Sequence, residues 1–309
     1  MDSSQHSSAS APAQQGPSAS SATTTARPSR KARQKPTGLA YWIAGVRSWL
    51  HLLVMGSTMV FYATSLMIAA LFVRGEPVYR IGVAWLSVCV SSAKWMLGIR
   101  YRVQGMEHLP AHTREQKVVV LAKHQSTYET FLMPLILRHV VLSYVFKKEL
   151  LSIPFFGWGI GRMDMVHIDR KQGSKAFHKV LEQGRKLTDM GNWVMMFPEG
   201  TRVPRGEVGN YKVSGSRLAI DTGAVVVPVA VASARCWAPK AIVKFPGVID
   251  VSIGKPISTE GKTPNELMDE VQQWIEQEMH RLDPEAYELT PASQPSGTTA
   301  AAPRQDSQD

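Results

Sequence analysis

Two cysteines in 309 residues, Cys89 and Cys236, are too few for a disulfide framework, and neither sits in a CxxC or Cys/His spacing. Both read as packing residues in a reducing compartment. No GxSxG elbow occurs, so the usual serine-hydrolase arrangement has no nucleophile. Helix-turn-helix, RNP and zinc patterns are missing too, which argues against a nucleic-acid partner. Acidic residues are scarce at the front: residues 1–102 carry 11 Lys/Arg against 2 Asp/Glu, a net +9. Residues 103–259 again net +9, and residues 260–309 net −8. A basic front and middle suit an anionic membrane surface or an anionic substrate.

Residues 1–38 are Ser/Ala/Thr/Gln/Pro-rich and almost free of large apolar side chains. Such a segment cannot bury enough surface to offset its ordering entropy, so a disordered basic tail is expected. Its cluster Arg27, Arg30, Lys31, Arg33 and Lys35 suits acidic headgroups or plain solvation. Residues 49–73 contain no Lys, Arg, Asp or Glu, with Arg47 and Arg74 on either side. As a helix this run reaches roughly 37 Å, enough to cross a bilayer with tilt. A second apolar stretch, Ile81 to Ile99, is interrupted by Lys94 and reads as an interfacial helix or one packed on the first. Spanning and one-leaflet hairpin arrangements both fit. Residues 39–102 are therefore assigned to two membrane-associating helices.

From residue 103 to 283 short β-branched runs alternate with helical segments. Strands are expected at Val118–Ala122, Val140–Phe146, Met165–Ile168, Trp193–Phe197, Val225–Ala232 and Val248–Ile253, and helices at 126–138, 173–190 and 214–222. That alternation predicts an α/β domain with a mainly parallel sheet flanked by helices. A last helix is signalled by Thr263 as cap, Pro264 at the first position and Glu266 completing a capping box. Residues 284–309 return to Pro/Ser/Thr/Ala and are expected to be a second disordered tail.

Three constellations carry chemistry. His124 follows the strand VVVLA, and the ligand side of an open α/β sheet lies at such strand ends. Glu129 is five positions on. On an ideal helix the two would not share a face; they meet only if His124 stands before the first turn and its ring folds back. Glu129 would then hold one ring nitrogen and leave the other as a base. A histidine capping a helix is the competing reading. FPEGTR, Phe197 to Arg202, puts Gly200 where backbone can approach a ligand, with Arg202 shaped to grip a phosphate and Glu199 able to accept from a hydroxyl. A simple Glu199–Arg202 pair is the alternative. Lys147, Lys148 and Arg170 follow two further strands, as an anion site would require, or as ordinary surface cations.

Four blocks stand in one order: KHQSTYE, VHIDR, FPEGTR and VVPVA, with KKEL at Lys147–Leu150 between the first two. Together they resemble the glycerolipid acyltransferase family, over about residues 40 to 255. That family usually has His-x4-Asp, and Glu129 stands here in place of the aspartate. The resemblance implies direct transfer of an acyl chain from acyl-ACP or acyl-CoA to the sn-2 hydroxyl of lysophosphatidic acid, in phospholipid biosynthesis. His124 is then the base and Glu129 its orienter. Glu199, Gly200, Thr201 and Arg202 would hold the glycerol phosphate, Lys147 and Arg170 would add charge there, and VVPVA would wall the acyl site. No metal or bound cofactor is implied, and the expected place is a bacterial inner membrane with the catalytic domain at its cytoplasmic face. A different lysolipid acceptor, such as a lyso-ornithine lipid, or glycerol 3-phosphate remains open. A membrane scaffold without chemistry would not be expected to keep both His124 and FPEGTR.

Overall fold

The computed structural model describes residues 37–288 apart from His112 and Arg114. The expected N-terminal tail lies outside those residues up to position 36, as does the expected C-terminal tail from 289 on.

Leu39–Ala69 forms helix α1 and Glu76–Ser92 forms α2, joined through Gly75 at positive φ with Pro77 in the first turn of α2. α2 packs on α1: Trp85 Nε1 donates to the Met55 carbonyl at 3.3 Å, and His51 Nε2 lies 3.3 Å from the Cys89 carbonyl. The uncharged run is thus only part of a longer helix. Arg47, expected to flank it, sits inside α1 and donates to the Met96 carbonyl. α1 is long and apolar enough to cross a membrane by length and composition. Leu39, Trp42, Ile43, Trp49, Leu53 and Phe61 are exposed on it.

Past a π-helical turn at Ala93–Leu97 the chain enters strand β1, Ile99–Gln104. The sheet therefore begins inside the segment assigned to membrane helices, and the boundary expected at 102/103 cuts a strand. The remaining strands are β2 Val118–Ala122, β3 Leu142–Lys147, β4 Val166–Ile168, β5 Trp193–Met196, β6 Val225–Val231 and β7 Gly247–Ile253. Their order is β1-β7-β6-β2-β5-β3-β4. The neighbours from β6 to β4 are parallel, while β7 runs antiparallel to β6 and β1 parallel to β7.

Helices cover both faces of the sheet. On one lie α2 and α3, Tyr128–Ile136. On the other lie α5 (Ser174–Asp189), α6 (Ser214–Thr222) and α7 (Pro264–Leu282). The short α4, Phe156–Ile160, packs on α1 and on Trp85 of α2, on the first side. This explains the apolar runs: every residue of β2 is buried, its even positions in the core under α2 and α3 and its odd positions in the core under α6 and α7. The parity continues past the strand. Lys123 points to the α7 side and His124 to the α3 side.

α7 buries Leu267, Met268, Val271, Ile275, Met279 and Leu282, a stripe worth roughly 1.5–3 kcal/mol per large side chain. Its start is a complete capping box: Thr263 and Glu266 exchange hydrogen bonds with each other's backbone N–H. Thr263→Ala is expected to cost about 1 kcal/mol. Thermal unfolding should show a midpoint about 2–4 °C lower with the far-UV circular dichroism at room temperature unchanged. Directly beyond α7, Pro284–Glu288 forms a further short helix, α8, where a tail was expected to begin. Arg205 clamps the junction with bonds of 2.7 Å to both oxygens of Asp283.

Candidate active site

The five residues Lys123 to Thr127 join β2 to α3 across the C-terminal ends of β2, β5 and β6. Glu129 lies in the first turn of α3, fully buried, and accepts five hydrogen bonds. Its Oε1 takes the N–H of Gln125 at 2.7 Å, the N–H of Ser126 at 2.6 Å and Nδ1 of His124 at 3.0 Å. Its Oε2 takes the hydroxyls of Ser126 at 2.5 Å and Ser233 at 2.8 Å. Burial alone would raise this carboxyl. The hydrogen bond and charge of His124, with the Ser126 bonds, outweigh it and hold the group below the ordinary carboxylate value. An ionised carboxylate only accepts, so Nδ1 of His124 carries the proton.

His124 is gripped on three sides by the loop after β5. Its ring stacks on Phe197, centroids 3.9 Å apart and planes 15° off parallel. Its N–H donates to Glu199 Oε2 at 2.6 Å, and its carbonyl accepts from the Val203 N–H at 2.8 Å. The side chain is 15 % exposed, and Nε2 has no hydrogen-bond partner among the described residues. This is the geometry of a general base with an orienting carboxylate and an open acceptor nitrogen.

The Glu199 side chain is turned into the protein. Its other oxygen lies 2.8 Å from Nζ of Lys123, with both side chains fully buried. Burial pushes this carboxyl up, against the pull of Lys123 and the His124 N–H. The simple pairing of Glu199 with Arg202 is excluded. Arg202 and Thr201 are exposed, and Arg202 has no ion pair among the described residues. Gly200 holds φ +67°, a left-handed conformation that glycine adopts without strain, and a Cβ there would stand 3.2 Å from Lys212 Nζ.

Lys147 closes β3 and pairs with Glu149 at 3.1 Å, both half exposed. Arg170 opens a single 3-10 turn two residues past β4, and its side chain lies outside the described set. Strand order sets β3 two strands from β2, so the Lys147 backbone stands roughly 10 Å to the side of His124. VVPVA forms the middle of β6 and is wholly buried, its alternate residues shared between the two cores. Pro228 is hemmed in by Gly254, where a Cβ would come within 2.8 Å of both Pro228 and the Trp274 ring. The block is sheet core, not the wall of an open acyl site.

Two surface cavities, of about 660 and 800 Å³, lie elsewhere, between β7 and α7 and between α2, β1 and α3. Neither contains His124. Among the described residues no group of three or more His, Cys, Asp or Glu side chains is placed to hold a metal ion. Sequence reasoning missed Lys123, Phe197 and Ser233. A signal existed for the first: a lysine that continues a fully buried strand needs a carboxylate partner.

The acyltransferase family pattern matches residues 100–232. The 1-acyl-sn-glycerol-3-phosphate acyltransferase of Pseudomonas aeruginosa is 33 % identical over 246 residues, 78 % of this chain and 93 % of that one. The mouse 1-acyl-sn-glycerol-3-phosphate acyltransferase alpha is 29 % identical over 210 residues, 67 % of this chain and 72 % of that one. The crystal structure of the 1-acyl-sn-glycerophosphate (LPA) acyltransferase from Thermotoga maritima shares the fold, with TM-score 0.63 and 23 % identity over 79 % of this chain and 96 % of that one. Fold, site and family pattern together define an enzyme of the acyltransferase class. Within it, the chain belongs to the 1-acyl-sn-glycerol-3-phosphate acyltransferase family.

Proposed function

We propose that the protein moves an acyl chain from acyl-ACP or acyl-CoA to the sn-2 hydroxyl of lysophosphatidic acid, giving phosphatidic acid. The observation that carries this reading is the 3.0 Å contact between His124 Nδ1 and a Glu129 carboxylate fixed by four other donors. With Nδ1 protonated toward Glu129, Nε2 is the ring's one acceptor. It takes the hydroxyl proton as the acceptor oxygen attacks the thioester carbonyl. The ester C–O bond forms, the C–S bond breaks, and the thiol leaves with the proton that the imidazolium returns. Glu129 stabilises the imidazolium between those steps. Ser126, the hydroxyl nearest in sequence, is buried and donates to Glu129 while accepting from the Tyr128 N–H, which favours direct transfer over an acyl-enzyme.

On this reading the exposed Arg202, with Thr201 and the Gly200 backbone, receives the acceptor phosphate, and Lys147 and Arg170 add positive charge beside it. Glu199 serves from beneath. No resident cofactor takes part; the thioester is a co-substrate. The apolar surface of α1 brings the site to the bilayer where a lysolipid resides, at the cytoplasmic face of a bacterial inner membrane.

The test is an acceptor panel with the full-length protein in lipid–detergent micelles and both thioester donors. Lysophosphatidic acid should be converted to phosphatidic acid. Acylation of a lyso-ornithine lipid or of glycerol 3-phosphate, with lysophosphatidic acid untouched, would overturn the acceptor assignment. In the same assay Arg202→Ala is expected to raise the acceptor KM by about 10- to 100-fold with kcat little changed, the cost of a lost charge-assisted contact. An unaltered acceptor KM removes Arg202 from the phosphate site.

A further inference from the structure

We infer that Glu276, on α7, is a positioning residue for His124, acting through a buried chain of contacts that runs by way of Lys123 and Glu199. The inference rests on the reading of His124 as the base. α7 lies beyond residues 100–232, so the family pattern assigns this residue nothing.

The contacts are continuous. Lys123 is fully buried; its ammonium donates to Glu276 Oε1 at 2.7 Å and to the Glu207 carbonyl at 3.2 Å, and it forms an ion pair with Glu199 Oε1 at 2.8 Å. Tyr211 adds its hydroxyl to the same Glu276 oxygen at 2.8 Å. The second oxygen of Glu199 takes the His124 N–H at 2.6 Å. Glu276 is thus three contacts from the His124 N–H that aims the catalytic ring. Sheet parity makes this possible. Lys123 and His124 are neighbours on opposite faces of β2's continuation, so a load applied at Lys123 from the α7 side is delivered to His124 on the α3 side.

Two carboxylates on one buried ammonium are an expensive way to fasten a loop, because each charge loses its hydration. Apolar side chains would hold α7 against the sheet as well, as Val271 and Ile275 do in the same core. What apolar contacts cannot do is fix the direction of a hydrogen bond. With Glu276 removed, Lys123 has one N–H unsatisfied and can swing, and Glu199 loses the partner that sets its angle to the His124 N–H. The ring then drifts over Phe197, and Nε2 no longer points at one place.

The experiment compares the parent, Glu276→Met, Glu276→Gln and Tyr211→Phe in the full-length protein, with folding checked by circular dichroism and thermal unfolding. Glu276→Met keeps the volume and removes the acceptor. It should lower kcat by about 10- to 100-fold, the scale of a misplaced catalytic group, with the acceptor KM within about twofold. Glu276→Gln keeps a carbonyl for Lys123 and Tyr211 and should recover most of the loss. Tyr211→Phe should lower kcat by about two- to fivefold. Parent-like kcat in Glu276→Met, an equal loss in Glu276→Gln, or a loss confined to KM each overturns the role. Should Glu276→Met not fold, Tyr211→Phe decides, and parent-like kcat there overturns it. His124→Ala separates the two claims. If it is active, the base assignment falls; if it is inactive while Glu276→Met turns over normally, only the positioning role falls.

Discussion

His124→Ala is expected to lower acyl transfer by about 10³- to 10⁴-fold, which an ordinary assay reads as loss of turnover. The hydroxyl of a glycerol is a poor nucleophile until its proton is being removed, and Nε2 of His124 is the acceptor aimed out of this loop. The substitution should leave the protein folded. Glu129 keeps four of its five donors, Gln125, Ser126 twice and Ser233, so its buried charge is not stranded. The grip on the backbone also survives, because Glu199 and Val203 bind the residue 124 peptide and not its ring. The vacated space above Phe197 opens to solvent and can fill with water. Circular dichroism and membrane sedimentation should therefore match the parent. Near-normal transfer by this variant would end the mechanism proposed here.

The helical arithmetic of the sequence shows why this pair is easy to miss. Five positions on one helix cannot bring His124 and Glu129 together. The structure solves it by starting α3 only at Tyr128, so that Lys123 to Thr127 wrap around the Glu129 carboxylate and His124 returns over it. Much of the architecture was legible for a simple reason. β2, β5 and β6 are buried on both faces, so β-branched and apolar residues fill them without alternation, and short runs of that kind between amphipathic helices read as a parallel sheet. β1 was not legible, because IRYRVQ lies at the sheet edge with Ile99 its one fully buried residue, and Arg100 and Arg102 disguise it. α8 was hidden by a tail-like composition. At the site, contacts within one loop could be anticipated. Contacts across the fold could not: Ser233 reaches Glu129 from 104 positions away, and Glu276 reaches Lys123 from 153. For the same reason the sequence alone offers Glu199 only a ligand hydroxyl or Arg202 as partner. Nothing local says that its partner is the lysine beside His124.

Glu129→Gln should cost about 10²- to 10⁴-fold in kcat while leaving the fold in place. The amide has the shape of the carboxylate, and its environment allows one orientation. The Gln125 and Ser126 N–H groups and His124 Nδ1–H all point at Oε1, so the amide oxygen must lie there. The NH₂ then takes the Oε2 position, where the Ser126 and Ser233 hydroxyls can turn to accept it. His124 is still held and still presents Nε2. What is lost is the negative charge that steadies the imidazolium once the proton has arrived. A fall in kcat at unchanged acceptor KM therefore isolates that charge from orientation. Stability should respond to acid in the same sense. The Glu129 carboxyl is held below its ordinary value of 4.5, so it stabilises the fold above that value and the contribution is lost as pH falls through the lower folded value. The stability difference between parent and Glu129→Gln should accordingly narrow on acidification. Glu129→Gln with parent kcat would mean that His124 needs no charged partner, and the pair would then be a capping arrangement instead of a catalytic one.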